Sequence, residues 1–408
     1  MAKKKLSRIK LLIILSRWPP EITPRAIHNQ KLVEALSKEF DVMTVRPLIK
    51  NSLPNSANVI QVYNFRNSYL NRLFEKMGLS FKLPDPHLIS FFTGIGRIFR
   101  AVKQFEPKLI LSISKFDSSH LIANILKNKF NIPWIMFMSD PWTDMQDYGY
   151  VRYNFIERAI NKKMEILVFN NSDKIIVTNK SIVKILSDRV DEQKLIVIPQ
   201  FFNEGEVSKP SKINLKQKAE RKLIIRHFGH FYGPRSPLPF LQALKKMQSN
   251  NIDVLHQTRV EFYGRLDCWN ADECLNFINC MTNVTIHESV TRENVGELAN
   301  TSDMLMLIDA VSEFSPFLPS KLIDYLSYRK PIFSITPPGA AYDVTCEGGC
   351  FVADPGSTES IIITLQEILS IFGRNKLEAF TPSTQFIEQY SSRIVLARYK
   401  KVLMDELS

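Results

Sequence analysis

Three short runs in this 408-residue chain are apolar at every second position and at the positions between. They are LLIIL within residues 9–15, IPWIMFM at 132–138 and MLMLI within 303–308. A strand with one face in water alternates polar and apolar residues, whereas a strand covered on both faces does not. Further strand-like segments lie at 40–46, 108–114, 173–178, 195–198, 222–228, 260–264 and 283–287, and helix-length segments separate them. The segment 26–39 is of this kind, with Ile27, Leu32, Val33 and Leu36 on one face. Strands joined by crossovers of that length run parallel. The chain therefore reads as α/β, with doubly wound parallel sheets covered by helices.

Residues 204–221 are polar and lysine-rich with no apolar periodicity, which marks a linker. Two Rossmann-like domains follow from it, 1–203 and 222–384, with a long helix at 385–408. No G-x-G-x-x-G follows the first strand, against a dinucleotide fingerprint, and no Walker loop is present. The apolar run at 11–15 is too short for a signal peptide, so the start reads as a buried strand behind a basic leader. No apolar stretch reaches the roughly 18 residues that a spanning helix needs. The five cysteines (268, 274, 280, 346 and 350) form no C-x-x-C pair, and free thiols in a reducing cytoplasm are the expectation.

The net charge of +12 is uneven. Residues 1–200 carry 31 Lys and Arg against 17 Asp and Glu; residues 201–408 carry 22 against 24. Such asymmetry points to an anionic partner for the first half. The basic residues are scattered rather than clustered with aromatics, which argues against nucleic acid and leaves an anionic membrane surface or a merely basic, soluble domain. Residues 88–105 place Arg97, Arg100 and Lys103 among bulky apolar residues. Two structures fit them: a helix lying on a membrane, or one packed on the sheet with a solvated basic edge.

Chemistry concentrates in FSPFLPSKLIDYLSYRKPIFSITPPG, residues 314–339. Pro316 and Pro319 exclude helix from the approach, Ser320 is placed to cap a helix, and Lys321 lies in its first turn. Asp324, three residues on, is expected on the same side as Lys321. A helix N-terminus with a lysine suits an anion such as a diphosphate, and the carboxylate suits ribose hydroxyls. An ordinary capped helix with a Lys/Asp surface pair fits as well. A second loop, 229–237, carries two glycines that let backbone approach a ligand, and Arg235. A third, Ser139–Asp144, brings Asp140 and Trp142 to the end of a buried strand, where such sheets bind ligands. It reads equally as an Asp–Pro turn with a buried Trp.

The series Pro319-Ser-Lys-Leu-Ile-Asp-Tyr-Leu, followed by Arg329-Lys-Pro-Ile, resembles the PSKL-EYLA-GKP signature of GT-B glycosyltransferases of the family 4 type, a class found in bacterial surface-polysaccharide synthesis. The resemblance extends over nearly the whole chain. It implies a GT-B fold in which domain 1–203 takes the acceptor, domain 222–384 takes a nucleotide sugar, and the 385–408 helix returns to the first domain. It assigns the donor to Gly229, His230, Tyr232, Arg235, Gly264, Val290, Ser320, Lys321, Leu322 and Asp324, with Arg235 neutralising the diphosphate. The acceptor is expected at Trp18, Asp140 and Trp142, and catalysis at Asp140, Arg235 and Lys321.

Two departures stand out. The family's E-x7-E pair would fall at 316 and 324, which are Pro and Asp here, and Ser139-Asp140 stands where relatives carry His. With no D-x-D motif, no metal is expected, and no cofactor beyond a UDP- or GDP-linked sugar as substrate. The expectation is a cytoplasmic, retaining transferase, peripheral on the inner membrane face, acting on a glycan or lipid-linked acceptor. The departures support one alternative, a degenerate GT-B protein serving as partner or scaffold.

Overall fold

The computed structural model describes residues 8–21, 23–48, 58–64, 69, 76, 83–204, 221–250 and 254–407. The basic leader and all but the ends of the expected linker lie outside them. The chain forms two compact units. One comprises Met1–Gln146, Val151–Pro199 and Val395–Ser408; the other comprises Asp147–Tyr150 and Gln200–Ile394.

The first unit contains β1 (Lys10–Leu15), α1 (Pro24–Leu36), β2 (Asp41–Pro47), β3 (Val59–Val62), α2 (His87–Thr93), α3 (Ile95–Phe105), β4 (Leu109–Ile113), α4 (Ser118–Phe130), β5 (Trp134–Met138), α5 (Phe155–Asn171), β6 (Lys174–Val177), α6 (Lys180–Leu186) and β7 (Leu195–Val197). Its seven-stranded parallel sheet has the order β3-β2-β1-β4-β5-β6-β7. Leu11 to Leu15 are fully buried, as two covered faces require. Thr23 caps α1 by accepting the Ala26 N–H, and Pro24 takes the first helical position, where no donor is needed.

The single helix expected over 88–105 is two helices, parted at Gly94. A side chain there would meet Val62 of β3 at 2.3 Å, so the backbone must come this close to the sheet. On α3, Ile98, Val102 and Phe105 are buried, while Arg97, Arg100 and Lys103 face solvent. This is the sheet-packed helix with a basic edge.

The second unit contains β8 (Leu223–Phe228), β9 (Phe231–Gly233), α7 (Leu238–Ser249), β10 (Thr258–Tyr263), β11 (Leu266–Cys268), α8 (Ala271–Asn279), β12 (Val284–His287), α9 (Arg292–Asn300), β13 (Met304–Ile308), α10 (Ser320–Ser327), β14 (Ile332–Ile335), α11 (Ala340–Glu347), β15 (Phe351–Ala353), α12 (Thr358–Gly373) and α13 (Thr384–Glu388). Its six-stranded parallel sheet has the order β12-β10-β8-β13-β14-β15, and β9 pairs with β11 apart from it. Along β13, Met304, Met306 and Ile308 enter one core while Leu305 and Leu307 enter another that holds Leu322, Tyr325 and Leu326 of α10. Both faces are thus covered, and α10 is fixed against the sheet by burial of its apolar stripe.

The long terminal helix expected over 385–407 is interrupted. After α13 the chain bonds to Phe202, and α14 (Ser392–Asp405) then begins. Val395, Tyr399 and Leu403 of α14 are buried in the first unit, where the Tyr399 ring lies 6.1 Å from Phe137.

Candidate functional site

In the second unit, the chain winds outward from β8 through β10 to β12 and, in the other direction, from β13 through β14 to β15. The crevice at the C-terminal ends of β8 and β13 is the switch point, where open α/β sheets bind ligands. Four polar groups converge there: His227 near the end of β8, Arg235 in the following loop, Asp309 just past β13, and Lys321 in the first turn of α10.

Lys321 Nζ lies 3.2 Å from His227 Nε2. His227 Nδ1 lies 3.0 Å from the Met306 carbonyl, which accepts only from an N–H. The Nδ1–H tautomer therefore leaves the Nε2 lone pair for the ammonium. His227 is fully buried, and burial, then the charge of Lys321, holds it well below its ordinary value of 6.5. Lys321 is pushed from 10.5 down to about 7, chiefly by burial and then by Arg235, with Asp309 opposing.

Gly229 makes room for this lysine. Its φ is +118°, and a methyl on it would stand 2.8 Å from Lys321 Nζ. Gly264, at φ +152°, lies directly under the next peptide, and a methyl there would meet the Gly229 carbonyl oxygen at 2.4 Å. Both positions need glycine for conformation, and Gly264 needs it for space as well, because a methyl there meets backbone. Tyr325 holds the end of β8 from the other side, its hydroxyl accepting the Phe228 N–H at 2.8 Å.

Arg235 is buried. Its Nη2 and Nε donate to Asp309 Oδ1 at 2.8 and 3.2 Å, and Nη1 donates to the Tyr232 hydroxyl at 3.2 Å. Burial opposes the charge of Arg235, yet Asp309 holds its pKa raised. Asp309 also accepts from the Ala310 N–H and, through Oδ2, from the Ser315 hydroxyl. A pair this deep is kept by its hydrogen bonds, since desolvation alone would oppose it. Across from it, Tyr148 and Tyr150 set their rings edge-on to Phe317 at 5.3 and 5.0 Å.

The remaining donor-site residues are distributed as follows. Ser320 does not cap α10. It is the first helical residue, Pro319 occupies the cap, and no side-chain cap bond forms. Leu322 is fully buried, with its N–H donated to the Pro319 carbonyl. Asp324 does not join Lys321, because Lys321 turns inward to His227 while Asp324 accepts from Arg292 Nη2 of α9 at 2.9 Å. His230 lies in the crevice loop, its Nδ1 accepting the Arg265 N–H. Val290 packs at the edge of the α10 core.

In the first unit, Asp140 follows β5, and its Oδ2 accepts the Ser139 hydroxyl at 2.7 Å. Trp142 is core rather than a ligand platform. Only 1% of it is exposed, and its indole N–H is donated to Asn161 Oδ1 at 3.0 Å. Trp18 lies beneath the Arg46 guanidinium, 4.5 Å from its ring centroid.

Two residues of the crevice carry no motif in the sequence, His227 and Asp309, and Tyr325 lies in the signature series with no role assigned to it. Asp309 had one available signal, a lone acid directly after an unbroken apolar strand. His227 had none, sitting as it does within a strand, and Tyr325 reads as part of the apolar face of its helix.

The sequence matches no protein-family model and no curated protein. Solved structures do resemble it. Sucrose-phosphate synthase from Thermosynechococcus elongatus is 15% identical, with a TM-score of 0.67 over 98% of this chain and 100% of that one. Anabaena HepE, solved in complex with UDP and glucose, is 11% identical, with a TM-score of 0.67 over 98% and 100%. WaaG, described as a glycosyltransferase involved in lipopolysaccharide biosynthesis, is 12% identical, with a TM-score of 0.62 over 97% and 99%. At these identities the likeness is one of fold. The chain has the GT-B fold, with two Rossmann-like α/β units.

Proposed function

We propose that the chain is a glycosyltransferase whose second unit holds a nucleotide sugar. The observation that carries this reading is the Lys321 ammonium, set against Gly229 at the switch point by a neutral histidine. A diphosphate entering that crevice meets a cation poised to be fully charged, the N-terminus of α10 and the buried Arg235. The HepE structure, of like fold, contains UDP and glucose.

In the transfer, the bond between the anomeric carbon and the diphosphate breaks, and negative charge grows on the leaving nucleotide. Lys321 and Arg235 are in place to stabilise it, so the reaction needs no metal bridge. The reading is of a retaining transfer in the family 4 manner, in surface-polysaccharide synthesis at the cytoplasmic membrane face. The acceptor, a glycan or lipid-linked intermediate, belongs to the first unit, with Asp140 the group there that can accept a proton from its hydroxyl.

One observation favours the degenerate scaffold instead: Asp309 already neutralises Arg235. A thermal-shift screen against UDP, GDP, dTDP and CMP sugars separates the two, because a ligand of the native state raises its melting temperature. One nucleotide sugar is expected to raise it, and Lys321→Met to abolish the rise. No shift with any donor moves the assignment to the scaffold.

A further inference from the structure

Helix α5 shows solvent an apolar stripe that the transfer reaction does not use. Phe155 is 88% exposed, Ile156 65%, Leu167 47%, and Ile160 and Ile166 37% each. At 100° per residue these five side chains fall within an arc of about 140°, along a helix about 25 Å long. They are one surface, and the opposite face, with Asn161, Glu165, Val168 and Phe169, is buried in the first unit.

The exposed charges that α5 itself sets beside the stripe are positive. Lys162 and Lys163 are exposed along it, and Lys163 lies near its middle. The two acids of the helix are directed elsewhere. Glu157 is held in the capping box with Asn154, and Glu165 is buried against Arg189 and Thr143.

We propose that this face of α5 seats the first unit on an anionic lipid bilayer, the helix lying in the interface plane. Phe155, Ile156, Ile160, Ile166 and Leu167 would enter the headgroup boundary, and the lysines would extend their ammonium groups to the phosphates. Charge complementarity selects this occupant. Two copies meeting through the stripe would bring like charges together, whereas anionic headgroups neutralise them. The basic balance of residues 1–200 adds to the attraction. Among the described residues no helix is long and apolar enough to cross a membrane, so contact of this kind is interfacial. The inference deepens the reading of a transferase with a membrane-borne acceptor and rests on it, but it names a different element from the basic edge of α3.

The test is sedimentation of the full chain with phosphatidylcholine vesicles, with and without phosphatidylglycerol, at low and high salt. The chain is expected to sediment with the anionic vesicles and to be released by salt. Phe155→Ser/Ile156→Ser/Leu167→Ser and, separately, Lys162→Glu/Lys163→Glu are each expected to weaken binding about tenfold or more while the protein still melts as the wild type does. The single variant Phe155→Ser, at the most exposed position, gives the same direction with least risk to folding. Absence of wild-type binding, or equal binding by the variants, overturns the proposal. So does a wild-type dimer that the serine variant dissolves, which would assign the stripe to a second copy. The donor thermal shift is read without vesicles, so loss of one leaves the other standing.

Discussion

Lys321 and His227 are 94 residues apart in sequence, and their side-chain nitrogens meet at 3.2 Å in the crevice between β8 and β13. The neutral imidazole lets the half-buried lysine sit there without a fixed counter-ion of its own. The ammonium is thereby left able to answer an incoming anion.

Stability should report this burial through pH. Lys321 titrates at about 7 in the folded chain and near 10.5 in the unfolded one. Between those values the unfolded chain holds more protons, so this group adds stability as pH rises above 7. Below 7 both states are protonated and the charge of the half-buried ammonium destabilises the fold most. Melting temperatures of wild type and Lys321→Met, compared from pH 7 to about 9, should diverge in favour of wild type. Parallel curves would place the ammonium in solvent.

Donor binding should take up a proton. A diphosphate beside Lys321 favours the charged amine. Above pH 7 the affinity for a nucleoside diphosphate should therefore fall, and calorimetry in two buffers of different ionisation heat should show proton uptake. Lys321→Met should abolish the uptake; uptake that survives it would trace to another group.

Removing the carboxylate of Asp309 leaves Arg235 buried and unpaired. Asp309→Ala should lower the unfolding free energy by about 3–5 kcal/mol. The double variant Asp309→Leu/Arg235→Met should recover much of that loss, because no buried charge remains. Urea unfolding measures both. Equal losses in the single and double variants would show that packing, rather than charge, is what the site supplies.

Gly264→Ala forces a methyl onto the Gly229 carbonyl and a left-handed φ onto alanine. A loss of roughly 3 kcal/mol is expected. It should be accompanied by loss of donor binding, since the peptide it displaces adjoins Lys321. Gly96 has nothing within 4 Å and an ordinary φ, so Gly96→Ala serves as the neutral control.

Trp142→Phe should act on stability alone. The change leaves Asn161 Oδ1 without its indole donor in the core, which costs about 1–3 kcal/mol. An unchanged thermal shift with the donor nucleotide would agree with the buried position. A loss of acceptor binding without loss of stability would return Trp142 to the ligand surface.

The strands and helices were readable because each obeys a local rule. The unalternating run Leu11–Leu15 is fully buried, and of the face read for α1, Leu32, Val33 and Leu36 are buried while Ile27 is only partly so. Where reading by period went astray, a long-range contact had intervened. Gly94 breaks the helix because Val62 of a distant strand approaches it, and the tail breaks at 389–391 because the chain there bonds to Phe202. Helical spacing placed Asp324 beside Lys321, yet each side chain followed a partner from another element, Arg292 in one case and His227 in the other.

Local sequence therefore carried the layers, the two Rossmann-like units and the identity of the loops at the sheet ends, because periodicity, caps and prolines act over a few residues. It also carried Lys321 and Arg235 as the cations of the crevice. The folded chain alone decided what those cations meet. His227, Asp309 and Tyr325 come from separate elements that β8 and β13 bring together, and no spacing along the chain encodes that meeting. The exposure of α5 was decided in the same way, since which face of an apolar helix is left to solvent depends on what the sheet beneath it covers.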